Sequence, residues 1–268
     1  MDKNAPIGIF DSGIGGLTVA AAIHRLLPGE SIIYFGDTAH FPYGNQSPQS
    51  IEEYGQGIAQ FLEQQGCKMI VIACNTASAH AYKAVLKNSG KRIPVINVID
   101  PASREVAKRF AGKSVGVIAT SGTIRSGIYK RRIQKLAPGT RVSSLATPLL
   151  APMIEEGFFN NKISTTIIHS YLQKKTLQNI DALILGCTHY PLIKKEVESY
   201  YQKKTEVLDS ALWVAKAVKE QLDALGMRAL AHPPEFRFFV SYLTPAFEKS
   251  ARLFFPGKVK FQENNIWK

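Results

Sequence analysis

Two of the three cysteines sit in matching contexts. Cys74 closes the apolar run Met69-Ile70-Val71-Ile72-Ala73 and precedes Asn75-Thr76, while Cys187 closes Ala182-Leu183-Ile184-Leu185-Gly186 and precedes Thr188-His189. A thiol placed after a strand and before polar, helix-initiating residues meets free backbone amides and the helix dipole, which lower a thiol pKa from about 8.5. Cys67 lacks that setting and reads as a small buried core residue. A zinc site at Cys187-Thr188-His189 lacks the usual second ligand pair, and a redox disulfide would show Cys-X-X-Cys spacing, which is absent. Two thiols facing each other across a small molecule suit another task. One removes a proton from a carbon and the other returns a proton to the opposite face. That is stereoinversion, and it needs no cofactor if the site stabilises the carbanion electrostatically. A cysteine-nucleophile hydrolase is the rival enzyme class, but it gives the second thiol no work. A two-lobed amino-acid binding protein is the non-enzymatic rival.

The elements that must hold these thiols are strands alternating with helices, the rhythm of βα units and a mainly parallel sheet. Strands are expected at 7–10, 31–35, 68–73, 94–98, 114–119, 141–145, 182–185 and 206–208, followed in the tail by an aromatic strand at 236–242. Helices are expected at 17–27, 48–64, 77–87, 101–110, 123–136, 163–174, 192–201, 211–225 and 245–255, with a His232-Pro233-Pro234 break in the tail. The chain also repeats itself. Ile7-Gly8-Ile9-Phe10-Asp11-Ser12-Gly13 parallels the segment from Val115 to Gly122, the two cysteine segments parallel each other, and Val98-Ile99-Asp100-Pro101-Ala102 parallels Val207-Leu208-Asp209-Ser210-Ala211. The offsets are 108, 113 and 109 residues in one order, which predicts two homologous halves. The fold class expected is therefore α/β: two pseudo-symmetric, doubly wound three-layer αβα domains with mainly parallel sheets and the active site in the cleft between them. Residues 1–97 with a returning tail, 210–268, form the first domain, and residues 98–209 the second.

In open parallel sheets ligands bind beyond the carboxyl ends of the strands, which selects Asp11-Ser12, Asp37, Cys74-Asn75-Thr76, Thr120 to Thr123 and Cys187-Thr188-His189. The glycines of Asp11-Ser12-Gly13-Ile14-Gly15-Gly16 make a tight turn into a helix. A carboxylate at that strand end would oppose a pyrophosphate, so the turn is a poor dinucleotide loop.

Composition excludes several classes. With 268 residues, 45% of them hydrophobic, the chain has ample material for a packed core. No apolar run approaches the roughly 20 residues that span a bilayer, and the run at 6–10 is too short for a signal-peptide core, so a cytoplasmic protein with reduced thiols is expected. The formal charge of +12 is uneven, net −1 for residues 1–100, +9 for 101–209 and +4 for 210–268. Without a nucleic-acid-binding motif or interleaved aromatics, Lys130, Arg131, Arg132 and the paired lysines read as a solvated face, and nucleic-acid binding is not expected.

Four segments carry a resemblance to a known family. Ile9-Phe10-Asp11-Ser12-Gly13-Ile14-Gly15-Gly16-Leu17-Thr18-Val19, Asp37-Thr38-Ala39-His40-Phe41-Pro42-Tyr43-Gly44, Ala73-Cys74-Asn75-Thr76-Ala77-Ser78 and Leu185-Gly186-Cys187-Thr188-His189-Tyr190-Pro191-Leu192 resemble the bacterial glutamate racemases of the aspartate/glutamate racemase family. The resemblance implies interconversion of L- and D-glutamate without a cofactor or metal, supply of D-glutamate for peptidoglycan, and a homodimer. It implies acid/base roles for Cys74 and Cys187, with Cys74 acting on D-glutamate and Cys187 on L-glutamate. Asp11 is implied as the auxiliary group beside the first thiol, and Glu155, in preference to Glu156, with His189 beside the second. Substrate contacts are implied at Asp11, Ser12, Tyr43, Gly44, Asn75, Thr76, Thr188 and His189, with Thr120 and Thr123 adding contacts to the carboxylates. The same thiol pair serves aspartate racemases, so a different amino-acid substrate is the alternative within the family.

Overall fold

A computed structural model describes residues 2–89, 93–230, 233–251, 253–255 and 259–268; residues 232 and 252, within the expected tail break and tail helix, lie outside the described residues. Among the described residues the chain forms ten strands: β1 Ile7–Asp11, β2 Ile32–Gly36, β3 Met69–Ile72, β4 Val95–Asn97, β5 Ser114–Ala119, β6 Arg141–Ala146, β7 Ala182–Gly186, β8 Glu206–Leu208, β9 Phe236–Val240 and β10 Phe261–Glu263. They form two wholly parallel sheets, one ordered β10-β9-β2-β1-β3-β4 and one ordered β6-β5-β7-β8. The fold is α/β with helices on the sheet faces, as the alternating pattern predicts.

The internal repeat is visible in the topology. The order β2-β1-β3-β4 in one sheet corresponds to β6-β5-β7-β8 in the other, so β1 matches β5 and β3 matches β7. Gly8 and Gly116 occupy equivalent places for one steric reason. A Cβ on Gly8 would lie 2.9 Å from Cys67 Sγ, and one on Gly116 would lie 2.7 Å from Ile180 Cδ1. The tail extends the first sheet on its β2 edge: Ile32 to Gly36 pair in register with Phe236 to Val240, and Phe261 to Glu263 pair with β9.

Packing follows strand alternation. Ile7, Ile9, Met69 and Val71 join one buried cluster with the helices Leu17–Leu26, Ile99–Arg109 and Ala211–Ala224. Phe10, Ile70 and Ile72 point the other way, to Ile58 and Leu62 of the helix Pro48–Gln64. The first cluster continues into Val115, Val117, Leu183 and Ile184 of the second sheet, so one core underlies both. Each fully buried aliphatic side chain of this kind contributes roughly 1.5–3 kcal/mol. Among the described residues no helix is long and apolar enough to cross a membrane.

Several element boundaries differ from the sequence pattern. The expected helix 77–87 is two helices, Asn75–His80 and Tyr82–Ser89. The expected helix 123–136 is broken into Ser121–Ser126 and Ile128–Leu136 at Gly127, whose φ of 62° is left-handed. The helix Leu150–Glu155 and strand β10 were not foreseen.

A buried ion pair secures the amino ends of the strands. Lys68 Nζ lies 2.6 Å from Glu30 Oε2 and donates to the carbonyls of Lys3, at 2.5 Å, and Met227, at 2.9 Å. Glu30 Oε1 accepts the Ala229 N–H at 2.9 Å, so the N-terminus and the start of the tail are tied to one charge pair. Lys68→Met leaves the buried Glu30 carboxylate only the more exposed Arg228 guanidinium, 3.7 Å away, as a counter-charge, and is expected to lower the unfolding free energy by about 3 kcal/mol in denaturant titration. A loss below about 1 kcal/mol would place the anchor elsewhere.

Candidate active site

The carboxyl ends of β1, β3, β5 and β7 converge, and their first loop residues meet around a cavity of about 20 Å³, room for about one water. Its lining includes Ser12, Tyr43, Gly44, Cys74, Asn75, Thr76, Thr120, Cys187, Thr188 and His189. Both thiols are on this wall, one from each sheet. Asp11, Glu155 and Thr123 are not on the wall; they hold residues that are. Phe41, Pro42 and Ala151 line it as well and were not singled out from sequence. Phe41 and Pro42 lie within a quoted motif, whereas Ala151 belongs to the unforeseen helix.

The two halves approach at backbone distance because glycine permits it. A Cβ on Gly15 would lie 2.5 Å from Thr188 Oγ1 and 2.6 Å from His189 Nδ1, and one on Gly44 would lie 2.7 Å from Thr120 Cβ. Polar contacts then cross the junction. Thr188 Oγ1 donates to Asp11 Oδ1 at 3.3 Å, and Thr18 Oγ1 donates to the Thr188 carbonyl at 3.2 Å. The hydroxyl of Thr76 is 2.8 Å from that of Thr120 and 3.1 Å from that of Thr123, a triangle shared between the halves. Tyr129 donates its phenol proton to Asn75 Oδ1 at 2.6 Å, leaving the buried Asn75 Nδ2 without a protein partner.

Cys74 caps the helix Asn75–His80, its sulfur accepting the Ala77 N–H at 3.4 Å and donating toward Ser12 Oγ at 3.7 Å. The dipole argument predicts a lowered thiol pKa, and the structure overturns it. Burial first, then the Asp11 carboxylate, push the Cys74 thiol up to about 12, against the Ala77 N–H and the Ser12 hydroxyl, which pull it down. Asp11 is itself fully buried, with Oδ2 accepting the N–H groups of Gly13 at 3.2 Å and Gly16 at 3.0 Å. It both fixes the glycine turn and faces its charge toward the first thiol.

Cys187 has a different environment from the one expected. It is followed by a 3-10 turn, Tyr190–Ile193, capped by His189, so its sulfur does not cap an α-helix. Instead, Cys187 Sγ lies 3.7 Å from His189 Nδ1, and His189 Nε2 lies 2.8 Å from Glu155 Oε2. Glu156 is exposed and makes no such bond, which separates the two candidates for this place. Burial pushes the His189 imidazole down, but its hydrogen bonds to Cys187 and Glu155 and then the Glu155 charge hold it well above the usual 6.5. Phe41 and Phe254 flank the ring, with centroids 5.7 Å and 5.8 Å away. Gly13 makes room for this pair, since a Cβ there would lie 3.2 Å from Glu155 Oε1.

Tyr43 is buried with its phenol proton committed to Asp37 Oδ2 at 2.6 Å. Burial and the Asp37 charge hold that phenol well above 10, so it stays protonated and donates. Among the described residues no group of three or more His, Cys, Asp and Glu side chains has metal-holding geometry.

The Asp/Glu/hydantoin racemase family model matches residues 10–218, a span that contains both thiols and every residue lining the cavity. The chain belongs to the Asp/Glu/hydantoin racemase family. A family relative from Syntrophus aciditrophicus, a glutamate racemase, is 41% identical over 259 residues, covering 95% of each chain. The crystal structure of glutamate racemase from Francisella tularensis in complex with D-glutamate superposes with a TM-score of 0.93 at 38% identity and 99% coverage of both chains. Against an aspartate racemase of Picrophilus torridus the TM-score is 0.54 at 22% identity, a likeness of fold alone.

Two outcomes follow for this family member. Gly15→Ala is expected to hold the halves apart and lower activity by at least about tenfold, with far smaller loss of stability; near-normal activity would mean the close approach is dispensable. His189 is expected to be protonated at neutral pH. Its raised native pKa contributes stability that is fully present below the unfolded value near 6.5 and is lost as pH rises through the native value. Glu155→Gln should lower that native value in an NMR titration of the imidazole, and an unmoved titration would detach Glu155 from His189.

Proposed function

We propose that this chain is a glutamate racemase that interconverts L- and D-glutamate by two-thiol 1,1-proton transfer without a cofactor. The observation that carries the reading is the placement of Cys74 and Cys187 at equivalent strand ends on one cavity wall. The 41%-identical relative named for this activity, and the structural relative that binds D-glutamate, support glutamate over other amino acids.

In this mechanism the Cys187 thiolate takes the α-proton of L-glutamate and becomes a thiol, while the Cys74 thiol donates its proton to the opposite face and becomes the thiolate. Deprotonation of D-glutamate by Cys74 runs the sequence backwards. The unequal surroundings of the sulfurs fit this division. Cys74 is a buried thiol held protonated near the Asp11 carboxylate, whereas Cys187 faces the His189 imidazolium, which complements negative charge on its sulfur. Asp11 keeps the first thiolate strongly basic once it forms, and Glu155 keeps His189 charged. The α-hydrogen is weakly acidic, so the developing carbanion must be stabilised by neutralising the α-carboxylate. Ser12, Asn75 and Thr188 hold that group through side-chain and backbone donors, with Asn75 Nδ2 free to donate. Gly44, Thr76 and Thr120 receive the side-chain carboxylate, with Thr123 holding the two threonine hydroxyls from behind, and Tyr43 contributes through its backbone.

A cavity of about 20 Å³ does not admit glutamate, so the lobes part to load substrate and close to dry it. Residues 1–97 with 210–268 act as one lobe and 98–209 as the other. The enzyme works as a cytoplasmic homodimer, and its D-glutamate enters peptidoglycan synthesis, giving it a part in cell-wall biogenesis and cell shape.

In D₂O, either enantiomer of glutamate should gain deuterium at Cα. Cys74→Ala and Cys187→Ala should each abolish racemisation, by at least about a thousandfold. Substantial racemisation in both variants would sink the two-base model, and an acyl adduct on one thiol would favour a hydrolase.

A further inference from the structure

The C-terminal tail reaches the cavity wall through one carboxylate. Asp37 is fully buried at the turn after β2, and four donors converge on it. Oδ2 accepts the Tyr43 phenol at 2.6 Å and His40 Nδ1 at 2.9 Å. Oδ1 accepts the Ser241 hydroxyl at 2.8 Å and the Trp267 indole N–H at 2.9 Å. Two donors belong to the turn that carries Tyr43 and Gly44 into the cavity, and two belong to the tail. The tail grips the same turn again upstream. Ser241 Oγ accepts the Ala39 N–H at 2.8 Å, and Thr38 Oγ1 accepts the Tyr242 N–H at 2.9 Å while donating to the Tyr242 carbonyl at 2.5 Å.

Trp267 is seated for this contact. Its ring packs edge-on against His40 at 5.2 Å and Tyr54 at 5.4 Å. Gly57 leaves it room, since a Cβ there would lie 2.8 Å from the indole. A buried carboxylate that loses one of four donors leaves a charged lone pair unsatisfied, and it relaxes by pulling on the donors that remain. Those include Tyr43, whose neighbour Gly44 lies against Thr120 of the other half.

We infer that Trp267 is a positioning residue: acting through Asp37, its indole N–H holds the Tyr43–Gly44 turn in place and thereby sets affinity for the substrate without touching it. The inference rests on the racemase reading above for its kinetic readout, and Ser241 has the same role from the other side of Oδ1. A purely packing role for Trp267 predicts a different result, because Trp267→Phe keeps an aromatic ring and removes the N–H.

The test uses the full chain carrying Trp267→Phe, Ser241→Ala, Tyr43→Phe, or Trp267→Phe with Tyr43→Phe. For Trp267→Phe and Ser241→Ala, KM for both glutamate enantiomers should rise roughly fivefold or more. In both, kcat should stay within about twofold and the melting temperature should change little. Trp267→Phe should add nothing to the KM change of Tyr43→Phe, because both act along one line of contacts. Hydrogen exchange of residues 38–46 should quicken in Trp267→Phe, an arm that needs no turnover. Unchanged KM in both tail variants, additive effects in the double variant, or unaltered exchange would overturn the inference. A wild-type chain that does not racemise glutamate overturns the functional reading, and the exchange arm still decides whether Trp267 holds the turn.

Discussion

The structure depends on the carboxyl ends of two parallel sheets meeting at van der Waals distance. Only glycine at positions 15 and 44 allows it: side chains there would collide with Thr188, His189 and Thr120 of the opposite half. The meeting puts two strand-end thiols on one cavity and leaves space for about one water between the halves. The twofold pattern of the chain supplies the symmetry, but the chemistry comes from how the two ends differ.

That difference is electrostatic. Drying the cavity makes every charge in it count for more, and it makes an unpaired charge costly. On one side a carboxylate faces the sulfur, and Cys74 is held as a thiol. On the other side a histidine, held cationic by a carboxylate behind it, faces Cys187. Two thiols in such unequal electrostatic surroundings are suited to opposite roles in proton transfer, one beside a carboxylate and one beside a cation. The tail takes part at a distance, through the fully satisfied Asp37 beneath the Tyr43–Gly44 turn.

Much of this was legible in the residues, for identifiable reasons. The matches of β1 with β5 and of β3 with β7 stand out because the residues that follow them line the same cavity. The match of β2 with β6 does not, because Ile32–Gly36 is wholly buried between β1 and β9, whereas Arg141–Ala146 is a half-exposed edge. The helix Leu150–Glu155 has only six residues and includes Pro152, too little for a period to show. The thiols were identifiable from strand ends, but the direction of the Cys74 shift was not, since local dipole reasoning omits burial and the Asp11 charge. The Asp37 cluster joins residues 37, 40 and 43 to 241 and 267, and no local spacing rule connects them.

The most direct test of paired thiols acting alone as acid and base is the circular dichroism of an L-glutamate solution, followed over time with purified protein, chelator and no added cofactor. The signal should decay to zero, and a D-glutamate solution should decay to the same end point from the opposite sign. A flat trace from L-glutamate would contradict the account.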